Sequence, residues 1–560
     1  MSLIMKSFTL ALALHFGAGY AQNLSWQWAK MAGGIYFDEV LSVACDKVED
    51  VYITGTTSSP LLSIDTFNLI NADSGIYDVF IARLDATGNI IWAIRAGGKG
   101  SDEGSAVCVS ESRDIYVAGY FQSDSIVFGS NTLYNNNPSK RQLFVVKYDV
   151  DGNAIWARSN NGSNGHNELL SLTVDPEGFI YCTGYFEGSD FILGSDTLNN
   201  TSLTERDFLV LKMDSLGNVI WVRSAQGATR DFGSAIAVDV SGNVFAAGGF
   251  NSPSLTFDTI VVNRIGLFDI FIVKYDSVGN VLWVRSTGGS LNETLNSICL
   301  DDAGNAYIAG EFASNQITFG PFTLTNSGSD DCYFLMKYDT DGIEQWAVQA
   351  SLASRSSVLS ISSDPFSGIY ATGTFMGSIA FGPNILTNTT NKYQIFISRF
   401  DKSNGNAMWG ISMIPGSVPG HDIGTAIATN NEGYAFAGGV FRSSSLTLGS
   451  TTLINTVGGN TDAFIAKLDG NVGFDIRDDE GGCIVYPNPV TDMAYLSLEM
   501  DLSGAVVQVL NCFGQTVKFF QPGQGNTTVF SLAGLDNGMY FIRVVKGRQV
   551  SANCKVILSN

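Results

Sequence analysis

Asp269-Ile270-Phe271-Ile272-Val273-Lys274-Tyr275 runs into Asp276-Ser277-Val278-Gly279-Asn280, then out through Val281-Leu282-Trp283 to Gly288-Gly289. The first run is almost continuously apolar, aromatic and β-branched, as a buried strand is. Asp, Gly and Asn then suit a tight turn, because Asp takes up local amide protons and Gly and Asn tolerate positive φ. The chain reverses into a second strand that carries Trp283. This hairpin recurs along the chain. Trp28, Trp92, Trp156, Trp221, Trp283, Trp346 and Trp409 are separated by 64, 64, 65, 62, 63 and 63 residues, and the one other Trp is Trp26. A period of that length marks a repeat architecture.

The second unit shows the whole repeat. Ser105 to Val109 reads as a short apolar strand, and Ile115 to Phe121 alternates as a second one. A polar stretch with Phe128-Gly129 and Leu133 follows. Leu143 to Tyr148 is a third strand, Asp149 to Asn153 a turn, and Ala154-Ile155-Trp156-Ala157 opens a fourth. A Gly near the second strand's end recurs as Gly55, Gly119, Gly184, Gly248, Gly310, Gly373 and Gly438. The third strand centres on Phe80, Phe144, Phe208, Phe271, Phe334, Phe396 and Phe464. Four short strands per unit, seven units and no helical period predict an all-β, seven-bladed β-propeller over residues 22–469. The ends of the array agree. It begins with a lone fourth strand, Ser25 to Met31, and ends with a lone third strand, Asp462 to Leu468. Pairing the two closes a ring and removes free sheet edges, which an open solenoid has no need to do.

The unit Trp-Ala, Gly-Gly, Gly-Asn-x-Tyr-x-x-Gly, Phe-Gly and Asp-x-Phe-x-x-Lys-Tyr-Asp-x-x-Gly-Asn resembles the bacterial propeller repeats known as SBBP. Residues 269–310 match it well; the sixth unit is weaker, with Lys392 near the Asp position and no Gly-Gly after Trp346. The resemblance spans most of the chain and implies a fold and an exported setting, not a single activity.

Several function classes fall to composition. Apolar residues make up 45% and charged residues 15%, which excludes a disordered chain. Asp and Glu outnumber Lys and Arg by 53 to 31, a net charge of −22, so nucleic acid and anionic membrane surfaces are unsuited as partners. Three His residues (His15, His166, His421) exclude a His-rich metal centre. Residues 1–21 read as an export signal: Lys6, an apolar run from Phe8 to Ala18, and small Gly19 and Ala21 before a cut at Gln22. That run is too short to span a membrane, and no later segment suggests a transmembrane stretch. Among the eight Cys, Cys45, Cys108 and Cys299 share one repeat position that other units fill with Thr, Ala or Ser, so they read as small packing residues. A Cys483–Cys554 bridge is one option; Cys512 lies in the same segment.

Residues 470–482 are acidic and Gly-rich and read as a linker. From Cys483 the Trp period stops. About seven short alternating runs in residues 483–560 predict a small Ig-like β-sandwich. Tyr486-Pro487-Asn488-Pro489 with Asp492 opens the segment, Gly514-Gln515 follows a strand, Gly538-Met539-Tyr540 comes later, and Lys555 sits in the last strand. This pattern resembles the type A sorting domain of the type IX secretion system. The resemblance implies passage across the outer membrane by that machinery, removal of the domain by a sortase-like peptidase, and a mature protein attached to the surface or released.

For chemistry, the Asp-x-x-Gly-Asn turns suit hairpins, with calcium as the rival use of their oxygens. Their seven-residue spacing from Asp85 to Trp92 departs from the docking motif of quinone-cofactor dehydrogenases. The longer connections, second-to-third and fourth-to-first strand, share one face of a propeller, where binding residues concentrate. On it, Asp38, Asp102, Asp231 and Asp422 recur just before the innermost strand, with Glu168 and Glu293 nearby. They either bond the local backbone or form a calcium-binding ring. His166 and His421 occupy equivalent loops and read as solvent-exposed. Tyr134 to Asn137 read as ordinary polar loop residues, with stacking on and hydrogen bonding to sugars as the rival use. No nucleophile triad, phosphate loop or zinc motif stands out. The expectation is an exported, non-catalytic binding or scaffold module for protein or glycan, without a cofactor unless calcium, with a polysaccharide-active hydrolase or lyase as the rival.

Overall fold

The computed structural model describes residues 24–71, 73–160, 164–200, 204–328, 330–382, 384–455, 457, 459–469, 484–486, 493–498, 501–511, 516–535, 538–546 and 549–558. The export signal, the linker, Pro487, Asn488, Pro489, Asp492, Gly514, Cys483 and Cys512 lie outside the described residues. Two compact units are found, Ser25–Gly470 and a C-terminal one.

Each repeat folds as a four-stranded antiparallel sheet. In the second, the strands in spatial order are Asp102–Val109, Ile115–Phe121, Gln142–Tyr148 and Ala154–Ser159. Seven such sheets occur among the described residues. The last combines Ile423–Thr429, Tyr434–Phe441 and Asp462–Asp469 with the chain's first strand, Ser25–Gly33, in register from Ser25↔Asp469 to Ala32↔Ala463. The first strands touch one another in succession, and Ile423–Thr429 packs on Asp38–Cys45 to complete the circle. The fold is a β-propeller, closed by its two ends as the lone strands predict.

Three local features differ from the sequence reading. The innermost strands start earlier, at Asp38, Asp102 and Asp231, so these acids are strand residues and not loop residues. The polar stretch after the second strand folds into its own hairpin, for example Ser125–Phe128 with Asn131–Tyr134. Two repeat positions shift by one: Gly439, not Gly438, pairs with Phe464, and Leu209, not Phe208, pairs with Gly184.

The invariant Gly has a steric cause. Every innermost strand carries a bulge, as between Gly104 and Ala106. The bulge presses the preceding carbonyl against the second strand. A Cβ on Gly119 would lie 1.9 Å from Glu103 O, and one on Gly55 would lie 1.9 Å from Glu39 O. Backbone cannot yield as a side chain can. Gly119→Ala is expected to cost about 3 kcal/mol, read as a lowered urea midpoint; an unchanged midpoint would show that the strand shifts freely.

The Trp period and the Gly-Asn turn are one device. Six of the seven indole N–H groups donate to the next blade's turn, among them Trp28 to Ala86 O at 3.0 Å, Trp92 to Val150 O at 3.0 Å, Trp156 to Ser215 O at 3.1 Å and Trp283 to Thr340 O at 3.1 Å. The turn glycine, at φ 88° in Gly279, sits where a Cβ would be 3.1 Å from Trp221. Burying the indole against the neighbouring blade holds the ring together, and the turn carbonyl satisfies its one donor.

The C-terminal unit has a three-stranded sheet (Ile484–Tyr486, Met493–Ser497, Thr527–Ser531) and a four-stranded one (Thr516–Phe520, Ala505–Leu510, Gly538–Lys546, Gln549–Leu558). Ala494, Leu496, Val507, Val509, Phe530, Ile542 and Val544 form their shared core. Tyr540 is buried in it, Gly538 opens its strand, Tyr486 pairs with Tyr495 and Lys555 with Phe541.

Candidate functional site

The hairpins, the loops into the third strands and the connections into the innermost strands gather on one face. Between the first two blades this face holds a cleft of about 510 Å³, lined by Ile76, Tyr77, Lys99, Ser101, Gln122 and Asp124 among others. Tyr77 is 38% exposed and meets Phe37 edge-on at 5.7 Å. Ile35, Tyr36 and Ile76 are also exposed, a concentration of apolar surface beside polar walls.

Towards the central axis lie Glu39, Glu103 and Glu168, the second residues of three successive innermost strands. Glu168 is held by Arg141 Nη1 at 2.8 Å and by the Tyr185 hydroxyl at 2.6 Å. Arg141 also stacks over Tyr120, 4.1 Å from the ring centroid, and Arg206 over Tyr185 at 4.1 Å. Burial, then the Glu168 charge, pushes Glu103 up to about 7. Burial, then Glu103, pushes Glu39 up to about 7. Carboxyls in that range can donate or accept a proton near neutrality.

The four Asp of the expected calcium ring are not brought together. They are buried in separate blades, each enclosed by donors from the adjoining strand. Asp38 accepts Thr57 Oγ1 at 2.5 Å and Ser59 Oγ at 2.8 Å. Asp102 accepts Ser123 Oγ at 2.6 Å and the amides of Gly98 and Gln122, both at 2.9 Å. Asp231 accepts Ser252 Oγ at 2.6 Å, and Asp422 accepts Ser443 Oγ at 2.6 Å. Among the described residues no three His, Cys, Asp or Glu side chains converge as a cation site. The turn Asp residues are spent likewise: Asp149 Oδ1 accepts the amides of Asp151 at 3.0 Å and Asn153 at 2.8 Å.

His166 and His421 are not bystanders. Each Nδ1 accepts a backbone amide at 3.2 Å, from Arg141 and Tyr393 respectively. Burial holds both below the usual histidine range, so each acts as a neutral acceptor. Tyr134 is 72% exposed, but Asn135 is buried and closes its loop, donating to Lys140 O at 2.9 Å and accepting Asn137 N at 2.9 Å. Asn71, Asn200, Asn326, Asn388 and Asn455 donate to loop carbonyls in the same way. Sequence reading missed this set, although Asn135 follows Gly119, and Asn71 follows Gly55, by 16 residues. Cys45, Cys108, Cys182, Cys299 and Cys332 are free thiols; burial pushes Cys45 up to about 12, which makes it inert. No helix among the described residues is long and apolar enough to cross a membrane.

Among known proteins, the chain is 24% identical over 419 residues to the uncharacterized WD repeat-containing protein L264 of Acanthamoeba polyphaga mimivirus, covering 62% of this chain and 30% of that one. It is 25% identical over 317 residues to the regulatory protein FlaEY of Caulobacter vibrioides, covering 52% and 32%. The chain thus spans about a third of the length of these relatives. Solved structures with a similar course include quinohemoprotein alcohol dehydrogenase ADHIIG from Pseudomonas putida HK5 (TM-score 0.37, 11% identity, 84% of this chain and 79% of that one). BamB from Moraxella catarrhalis is another (TM-score 0.32, 12% identity, 85% and 96%). Neither set bears on ligand or chemistry. Residues 484–559 match the family described as secretion system C-terminal sorting domain. The chain therefore joins a β-propeller to a type IX sorting domain, which directs it to secretion or attachment at the cell surface.

Proposed function

We propose that the propeller is a non-catalytic binding or scaffold module for an extracellular glycan or protein, delivered by the type IX machinery and freed of its export signal and sorting domain. The observation that carries this reading is the cleft between the first two blades. Tyr77 supplies a flat face for stacking, Lys99 a cation, and Gln122 and Asp124 hydrogen-bonding groups, on loops held by a rigid ring. A sugar ring presents the complementary apolar face and hydroxyl edge. Probing the purified chain with a panel of surface polysaccharides tests it. Saturable binding, weakened at least tenfold in Tyr77→Ala, is expected. Calcium and chelator should make no difference, since Asp38, Asp102, Asp231 and Asp422 are already bonded.

A polysaccharide-active hydrolase or lyase is the second reading. Glu39 and Glu103 favour it, because a carboxyl raised to about 7 is suited to general acid or base work. Release of reducing ends, lost in Glu103→Gln, would put the enzyme first.

A further inference from the structure

Four joints between neighbouring blades bury two carboxyl groups side by side. At each, the amide of one acid donates to the carbonyl just before the other. Asp38 N reaches Thr461 O at 2.9 Å, beside Asp462; Asp102 N reaches Tyr77 O at 2.8 Å, beside Asp78. Asp231 N reaches Arg206 O at 2.7 Å, beside Asp207; Glu293 N reaches Phe268 O at 2.9 Å, beside Asp269. All eight acids are at most 4% exposed.

Their neutralisation is unequal. Asp78 is paired with Arg95, at 2.6 Å from Nε. Asp269 accepts the amides of Ile265 at 2.5 Å and Gly266 at 3.1 Å. Asp462 receives the Gly34 amide, but its buried Oδ1 has no donor among the described residues. No cation or donor to Asp207 is found among the described residues, and the charge facing it is Asp231. Around Asp231 stand Ser252, Asn251 and Glu205; around Asp38 stand Thr57, Ser59 and Asp462. Arg206, next to Asp207 in sequence, is turned to Glu187 and Tyr185.

The chain carries its own comparison. The third-strand position of Asp207 and Asp462 is Gln142 in the second blade and Gln394 in the sixth. Gln142 accepts Asn160 Nδ2 at 2.6 Å, and Gln394 donates to Met413 O at 2.8 Å. The position thus accommodates a neutral, hydrogen-bonding side chain. Gly-Gly pairs belong to three of these joints, those of Asp462, Asp78 and Asp269. A Cβ on Gly33 or Gly97 would meet Asp462 Oδ1 at 2.5 Å or Asp78 Oδ1 at 1.9 Å. Gly-Gly follows Trp28, Trp92 and Trp283, in the blades of Asp462, Asp78 and Asp269; it is absent after Trp156, Trp346 and Trp409, where the acid is replaced by Gln142, Cys332 and Gln394, and also after Trp221, where Ala225-Gln226 stands in its place and Asp207 is kept.

We propose that Asp207 and Asp462 are held as neutral carboxylic acids, each buried beside the acid across the joint, Asp231 or Asp38, so that the ring is proton-loaded and loosens when that proton leaves. An unpaired buried carboxylate is too costly to persist, and a neutral acid supplies the missing donor. Burial, with the partner acid, pushes Asp207 up to about 8; burial pushes Asp462 up to about 6, and their partners Asp231 and Asp38 to about 6 and about 7. Because the folded chain binds protons that the unfolded chain has already released, stability is full near pH 4 and falls as pH rises to about 8.

The test combines infrared spectroscopy of the full chain with thermal melts from about pH 5 to 9. A protonated-carboxyl C=O band near neutral pH is expected, diminished in Asp207→Asn and in Asp462→Asn. The wild-type melting temperature should fall by several degrees across that range. Asp207→Asn should flatten the fall and melt above wild type at the alkaline end. Absence of the band near neutral pH, or an Asn variant displaced equally at every pH, would overturn the proposal. The infrared band needs no variant, so a poorly folding Asn protein leaves the question decidable.

Discussion

Deletion of Ser25–Gly33 is expected to abolish the cooperative melt of the propeller. That strand is the outermost of the four in the last blade, although it comes from the other end of the chain. Without it, Asp462–Asp469 becomes an open edge with unpaired amides and carbonyls. Trp28 also leaves the fold, and with it the indole bond to Ala86 O in the first blade. The loss falls on both blades at the seam, so it should be comparable with the whole stability of a domain, on the order of 5 kcal/mol or more. Calorimetry and near-ultraviolet circular dichroism would report a lost or broadened transition. A peptide of residues 25–33 added in excess should restore part of it. An intact, sharp melt in the deletion variant would mean that the ring does not depend on this closure.

The second large effect concerns the Trp latches. Trp92→Ala should cost about 3–5 kcal/mol through the cavity between blades. Trp92→Phe keeps most of the packing and removes the donor to Val150 O, a cost of about 1 kcal/mol. The seventh latch is an internal control. Trp409 is fully buried, yet its indole N–H has no acceptor among the described residues. By the repeat, the matching carbonyl would belong to Gly470, which lies outside them. Trp409→Phe therefore removes an unsatisfied donor and should be neutral or mildly stabilising. Urea midpoints of the two Phe variants make the comparison. Equal losses would show that both indoles are bonded alike.

The propeller was legible in the sequence because its period rests on residues with no substitute. Trp has to fill the gap between blades, and Gly has to sit beneath the bulge carbonyl, so both recur at fixed spacing. The closure was legible because lone strands at the two ends leave one pairing. The innermost strand's start was not, since Asp102-Glu103 looks like a loop until Ser123 and the amides of Gly98 and Gln122 surround the carboxylate. The hairpin Ser125–Phe128 with Asn131–Tyr134 was missed because four-residue strands leave too little alternation to count. The cleft was invisible for a different reason. Tyr77, Lys99 and Gln122 belong to three separate connections, and what brings them together is the docking of one blade on the next. The four Asp of the expected calcium ring stand apart because a shared repeat position places residues in equivalent blades, not beside one another.

The most direct measurement is a titration of the purified chain with the best ligand from a surface-polysaccharide panel, followed by calorimetry and assayed in parallel for released product. Saturable binding, no product, and at least a tenfold loss in Tyr77→Ala are the predicted results. Product release that survives Tyr77→Ala and stops in Glu103→Gln would contradict a binding module and make the Glu39–Glu103 pair a catalytic centre.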